Sequence, residues 1–545
     1  MMRAKRLGML ATGAIGTALA AAALLATPGG AQDGAADVVI RGGTIYPGGA
    51  APFRGDVAIR GDRIVYVGPK APGGAKRVID ATGLIVAPGF IDTHTHVGDA
   101  LASGDPAARL VLPFLTQGVT TAFIGVDGGG DPDIRRTFGM ASGAGAGDEG
   151  FGQSNRDYGI NFASYVGLGA VRSQVIGPAD RMPTPAELAK MTGLVSDAMC
   201  QGAMGLSTGL FYAPQSFAKR DEVVALARAA AAKGGIYDSH LRDESSYTIG
   251  LKAAVEEALA IGRDTGIPVH IGHIKALGVD VHGQAGAIIA MVEAAQKAGQ
   301  TVHADQYPWS ASGTGLSAAL IPRWAQDGGR AALLKRLDDA ATMKRMRPEI
   351  ADNLRRRGGP ASLLITSGPT GAEGKTLEAI AKERGVDPID AAIAILKQRE
   401  TGVASFNQSE ADIAAFMRQP WVVTSSDASR GHPRYYASYA RKYATYVKDK
   451  KVIDLRGFID RSTAVPARLF ALDGRGQLKA GAFADVVAFD PQRFAPRADY
   501  AHPTRFSTGM RTVVVNGQVA IENGEPTGAA GGRPLPRRPK PGTCG

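Results

Sequence analysis

Read for run length and alternation, the chain changes character twice. From about residue 36 to 82, short β-rich runs (Asp37 to Ile40, Asp56 to Ile59, Ile64 to Val67) alternate with Gly/Pro turns, as in the hairpins of a small β domain. Similar runs return at Ala484 to Phe489 and Thr512 to Val515, where Asn516-Gly517 is a tight-hairpin signal. The two ends, 32–85 and 471–530, are therefore expected to build one β-sandwich together. Between them the pattern becomes strand-then-helix, the signature of a parallel sheet. Eight strand candidates occur: Val86 to His96, Val119 to Asp127, Asn161 to Val166, Gly205 to Leu210, Gly235 to Leu241, Pro268 to Ile274, Thr301 to Tyr307 and Trp421 to Asp427. Thr184-Pro185-Ala186-Glu187 reads as a capping box with Pro at the first helical position, followed by Leu188, Met191 and Val195 at helical spacing, and Asp387-Pro388 opens another helix. Eight strands with intervening helices predict an α/β fold, a TIM-like (β/α)8 barrel over 86–470 with its active site at the carboxyl ends of the strands. The long interval 310–420, between the last two strands, is a candidate lid. Residues 531–545 read as a disordered Pro-rich tail.

The N-terminus has its own pattern. Arg3, Lys5 and Arg6 precede an apolar stretch from Leu7 to Ala26 that ends in small residues, so 1–31 read as a secretory signal peptide, with an uncleaved membrane anchor as the alternative. The expectation is an exported protein, periplasmic or secreted, with no stable membrane association after cleavage. The formal charge of +11 suggests an acidic partner until its location is considered. The signal carries three bases and the tail four, neither with an acid, which leaves +4 on the body and argues against nucleic acid. Hydrophobic content of 44% and charged content of 21% are those of a globular protein. Cys200 and Cys544 are read as structurally incidental, since two cysteines make no disulfide framework.

Candidate chemistry gathers at strand ends. Side chains alternate along a strand, so His94 and His96 in Asp92-Thr93-His94-Thr95-His96 share a face, and two imidazoles on one face can hold a divalent metal. Such a pair alone proves little. Later strands end in further ligand types, His240, His273 and Asp427, so four of the nine histidines sit at such places. Asp127 closes the second strand, where a turn aspartate beside glycine is the bland alternative. Ligand types spread over five strands disfavour a doubly wound sheet with one switch point. His270, three residues from His273, faces the other way and reads as packing. Lys275 shares the face of His273, and His432 lies just past Asp427. His282, His303 and His502 read as solvated or structural.

At this point the chain resembles the amidohydrolase superfamily and, within it, the N-acyl-D-amino-acid deacylases (D-aminoacylases). The resemblance rests on Ala87 to His96, Gly205-Leu206-Ser207-Thr208-Gly209-Leu210, His240-Leu241-Arg242-Asp243-Glu244, Gly272-His273-Ile274-Lys275, Ala304-Asp305-Gln306-Tyr307-Pro308, Ser426-Asp427, His432-Pro433-Arg434 and Gly481-Ala482-Phe483-Ala484-Asp485. It implies zinc or another divalent metal, one or two ions, held tightly by His240, His273 and the residue at 127, with His94, His96 and Asp427 forming a weaker position. It also implies Asp427 as the proton shuttle, and Lys275, Tyr307 and Arg434 as the grip on a substrate α-carboxylate. The implied substrate is a small N-acyl-amino acid, of D configuration. Two departures stand out. The family commonly has cysteine where this chain has Asp127, a harder ligand that loosens zinc selectivity, and Gly167-Leu168-Gly169 lacks a central histidine that family members often show. The fourth strand offers no lysine to serve as a carboxylated bridge. A dipeptidase or cyclic-amide hydrolase on the same scaffold, and a non-catalytic binding protein, are the alternatives.

Overall fold

The computed structural model describes residues 35–139 and 156–544, so the expected signal peptide lies outside the described residues. Both chain ends contribute to one nine-stranded sheet. The N-terminal strands Ala36–Ile45, Phe53–Arg60, Arg63–Gly68, Ala75–Asp80 and Ile85–Pro88 join the C-terminal ones where Ile85–Pro88 runs antiparallel to Val486–Phe489. Alternating apolar residues of both ends, among them Ile40, Val57, Ile59, Val486 and Val514, close over a shared core. Met510–Val515 and Gln518–Glu522 pair antiparallel around Asn516 and Gly517, whose φ values of 46° and 82° supply the left-handed geometry of a two-residue hairpin.

Short strands buried along almost their whole length, several of them carrying polar residues, form the parallel sheets. Phe90–Asp92, Val119–Ile124 and Asn161–Ser164 make one of three strands. Val166–Gly167, Gly205–Gly209, Ile236–His240, Val269–Ile271, Val302–Gln306 and Val422–Thr424 make another of six, all parallel. Each of the eight segments expected as strands contains one. The described ladders thus give an α/β protein with two parallel sheets rather than one continuous ring, broken at Tyr165 on one side. On the other side a single parallel bridge, Thr95 to Ala428, links them. The helix Pro185–Cys200 starts as expected: the Thr184 hydroxyl accepts from the Glu187 N–H at 3.2 Å and the Glu187 carboxylate accepts from the Thr184 N–H at 2.8 Å.

The interval 310–420 is a structured layer. Ala311–Gly315, Gly402–Phe406 and Leu363–Ser367 form an antiparallel sheet, and its helices bury their own core around Leu316, Leu354, Ile365, Leu377 and Val403.

Two expectations are corrected at the C-terminus. Residues 531–544 are not a disordered tail: the Gly532 N–H donates to the Tyr158 carbonyl at 2.7 Å, the Phe162 N–H to the Arg533 carbonyl at 3.1 Å and the Leu535 N–H to the Phe162 carbonyl at 2.7 Å. Proline removes donors from this strip, but its carbonyls and remaining N–H groups still pair with the free edge of Asn161–Ser164. Cys544, at its end, is disulfide-bonded to Cys200, so neither cysteine is incidental. No helix among the described residues is long and apolar enough to cross a membrane.

Candidate metal centre

The parallel strands deliver their last side chains to one point. Asp127 sits at its middle. Its Oδ1 lies 3.2 Å from His94 Nε2, 3.6 Å from His240 Nδ1 and 3.3 Å from His273 Nε2, while Oδ2 lies 3.4 Å from His96 Nε2. His96 Nε2 is also 3.2 Å from Asp427 Oδ1. His240 Nδ1 and His273 Nε2 approach within 2.9 Å of one another. Two sets of ligand atoms close enough to share an ion result: Asp127, His240 and His273, and His94, His96, Asp127 and Asp427. These are the six residues expected as ligands, and Asp127 belongs to both sets.

Backbone strain marks the same places. Asp127, His273 and Asp427 have φ of 55°, 35° and 48°, three of the eight non-glycine residues with positive φ among those described. Such conformations cost of order 1–3 kcal/mol each and persist where the surroundings hold them. Here Gln215 does so for Asp127: its amide donates to the Asp127 carbonyl at 2.9 Å and accepts from the Gly209 N–H at 2.7 Å. Gly272 has a steric reason, since a Cβ there would stand 2.9 Å from the His94 ring.

Burial alone would raise the pKa of Asp127, but His94, His240 and His273 around it hold the carboxyl well below its usual range. Asp427 is similar: burial opposes ionisation, and Arg434, whose Nη1 is 2.7 Å from Oδ2, together with His96 pulls it below its ordinary value. Burial would lower His96, yet hydrogen bonding to Asp127 and Asp427 pushes it up to about 9. Both His94 nitrogens and Asp127 Oδ1 are buried without a hydrogen-bond partner. Orphaned imidazole nitrogens and a carboxylate oxygen converging at ligand distance fit a divalent cation well and fit a metal-free core badly.

Residues assigned no role from sequence complete the cluster. Glu244 accepts from Lys275 Nζ at 2.6 Å, and Lys275 also contacts His273 Nδ1 at 2.7 Å. Asp305 accepts from the His273 N–H at 2.8 Å and the Ser425 hydroxyl at 2.6 Å, and it pairs with His270 Nε2 at 2.7 Å. His270 is therefore buried as packing requires, but it is also tied to the site through Asp305. His94, Asp238 and Asp305 form a third, wholly buried set, with both Asp238 oxygens unpartnered. His432 accepts from the Arg434 N–H at 3.1 Å, so it shapes the turn that carries Arg434.

His94 is fully buried, while His96, Asp127, His240, His273 and Asp427 line a cavity of about 570 Å³. Lys275, Tyr307 and Arg434 all line it, and residues 312–315, 366–367 and 400–403 of the inserted layer form part of its wall. Tyr307 accepts from Gln408 at 2.9 Å, and the Arg434 guanidinium stands 5.1 Å from the Tyr307 ring centre.

The model of the Amidohydrolase family matches residues 161–521. A D-aminoacylase of Alcaligenes xylosoxydans xylosoxydans is 32% identical over 500 residues, covering 87% of this chain and 92% of the relative. A solved D-aminoacylase with a binuclear metal centre, in which one metal activates and the second attenuates, is 30% identical with a TM-score of 0.75, over 92% of this chain and 100% of that one. An N-acyl-D-glutamate deacylase from Bordetella bronchiseptica, bound to zinc and a phosphonate mimic of the tetrahedral intermediate, is 29% identical with a TM-score of 0.75 over the same shares.

Proposed function

The chain belongs to the amidohydrolase family, and on that premise we propose that it is a metal-dependent hydrolase that cleaves N-acyl-D-amino acids to a carboxylate and a free amino acid. The observation that carries the reading is the convergence of four imidazoles and two carboxylates from five strand ends, all but His94 lining a cavity that also presents Arg434, Lys275 and Tyr307. His240, His273 and Asp127 would hold one ion, and His94, His96 and Asp427 a second, with the two Asp127 oxygens facing both sets. Zinc is the proposed metal, in line with the zinc-bound relative; bound there it would acidify water and polarise the amide carbonyl. Asp427 takes the proton from the attacking water and returns it to the departing amine, a role its position beside His96 and the cavity allows. Arg434 is suited to a bidentate grip on the α-carboxylate and Lys275 to a point-charge contact.

The bridge from Thr95 to Ala428 and the succession of Asn161–Ser164 by Val166–Gly167 support closure of the two parallel sheets as an eight-stranded (β/α)8 barrel, and the shared terminal core supports a sandwich-like fold of the nine-stranded sheet. Export to the periplasm or beyond is likewise proposed, supported by the leader-like N-terminus and by a disulfide that oxidising compartments maintain.

The test is a panel of N-acetyl amino acids in both configurations, with release of free amine measured on metal-loaded protein. Turnover of D substrates, with L isomers at least about 100-fold slower, is the expected result. Preference for cyclic amides or for dipeptides with a free amino group would replace this reading with the alternative hydrolases.

A further inference from the structure

Arg357 is a buried cation without a counter-ion. It caps the C-terminus of the helix Ala340–Arg356, is 1% exposed, and lines the same cavity as the metal cluster. Its Nε donates to the Tyr247 hydroxyl at 2.7 Å, but its Nη1 is buried with no hydrogen-bond partner, and it forms no ion pair among the described residues. The carbonyls at the helix end offer only partial negative charge, far less than a desolvated guanidinium needs.

The acids of the cavity wall do not supply the missing charge. Asp127 and Asp427 are engaged with the histidines and Arg434, and Glu244 with Lys275. Glu400 accepts from the Ser317 N–H at 3.1 Å and faces Arg330 at 3.9 Å. More positive charge stands close by. Arg323 packs 3.8 Å from the Phe211 ring centre and 5.9 Å from that of Tyr247, and its Nη2 is also buried without a partner. Its pKa is pushed down to about 10, by burial first and by Arg357 as a further cause, against the opposing influence of Tyr247. Tyr247 and Phe211, with ring centres 5.3 Å apart, lead from Arg357 to His240, whose ring is 5.8 Å from Phe211. An unpaired guanidinium thus stands two aromatic rings from the metal cluster.

The geometry points to Arg357 as an anion-binding subsite that selects N-acyl-amino acids carrying a second carboxylate, an inference that rests on the proposed amide hydrolysis. A substrate dianion would set one carboxylate on Arg434 and the other on Arg357, supplying the charge that the protein lacks there. The second carboxylate can come from the amino-acid side chain or from the acyl group, and the two sources are separable with neutral isosteres.

The experiment measures kcat/KM on metal-loaded protein for N-acetyl-D-glutamate against N-acetyl-D-glutamine, and for N-succinyl-D-alanine against its terminal amide. One pair is expected to favour the charged member by about 100-fold, the scale of a desolvated charge pair. In Arg357→Gln that ratio should collapse to within a few fold, and in Arg357→Lys it should be intermediate. A purely structural role, propping Tyr247, would slow charged and neutral substrates alike and leave the ratio unmoved, which would overturn the inference. Ratios near one in both pairs for the parent protein overturn it without any variant, while the hydrolase reading stands. If neither charged nor neutral N-acyl-amino acids are cleaved, the hydrolase reading fails and this inference with it.

Discussion

Asp127 is the residue on which the site turns. Its two oxygens address four imidazoles, and neither set of ligand atoms is complete without it. Asp127→Ala should therefore lose bound metal at both positions, with activity, by elemental analysis of purified protein, whereas His96→Ala should lose no more than one equivalent. Asp127→Cys should recover metal and shift preference toward zinc, because thiolate is the softer ligand. Asp427 separates chemistry from binding: Asp427→Asn should keep the protein folded and lower kcat by roughly 100-fold or more, the range for loss of a general acid/base. Near-normal kcat would remove Asp427 from that role. Period-two alternation made His94 and His96 legible, and strand-end position did the same for His240, His273 and Asp427. The sharing of Asp127 was not legible, because it depends on a left-handed turn at φ 55° held by Gln215, distant in the chain. Glu244 and Asp305 stood in the recognised motifs, yet their partners Lys275 and His270 are set by the sheet register, which sequence spacing does not report.

At the scale of elements, the strand Val302–Gln306 couples the site to stability. It carries Asp305 toward His94 and places His303 partly buried, where burial first, then His270 and Arg468, lower its pKa to about 4 from the ordinary 6.5. The unfolded chain protonates this histidine below about 6.5 and the folded one only below about 4, so between those values the unfolded state binds more protons. Stability should fall as pH drops through that window. His303→Gln should flatten this part of the pH dependence of denaturant midpoints, by about 1–2 kcal/mol at pH 4 after allowing for residual solvent contact. An unchanged acid slope would contradict this placement. The capping box at Thr184 and the Asn516-Gly517 hairpin were legible because their signals are local. The split of the parallel strands at Tyr165 and the antiparallel layer within 310–420 were not, since ladder pairing joins residues far apart in sequence.

At the scale of the whole molecule, the C-terminal strip ties the chain end to the body. Composition alone marked it as disordered, but composition does not register that Asn161–Ser164 has an open edge for it to pair with. The Cys200–Cys544 disulfide closes 344 residues of sequence. Cys200→Ser should cost roughly 2–5 kcal/mol in thermal or denaturant unfolding, with the parent showing the same loss on reduction. Equal stability of oxidised and reduced protein would show the tie to be dispensable. The central claim, that this chain's centre is a working metal site, has a more direct test. Protein stripped by a chelator is titrated with zinc while bound metal and amine release from an N-acyl-D-amino acid are followed on the same samples. The account predicts no activity without metal and activity that rises with the first bound equivalent, in the parent but not in Asp127→Ala; full activity in stripped protein, or metal binding unaffected by loss of Asp127, would contradict it.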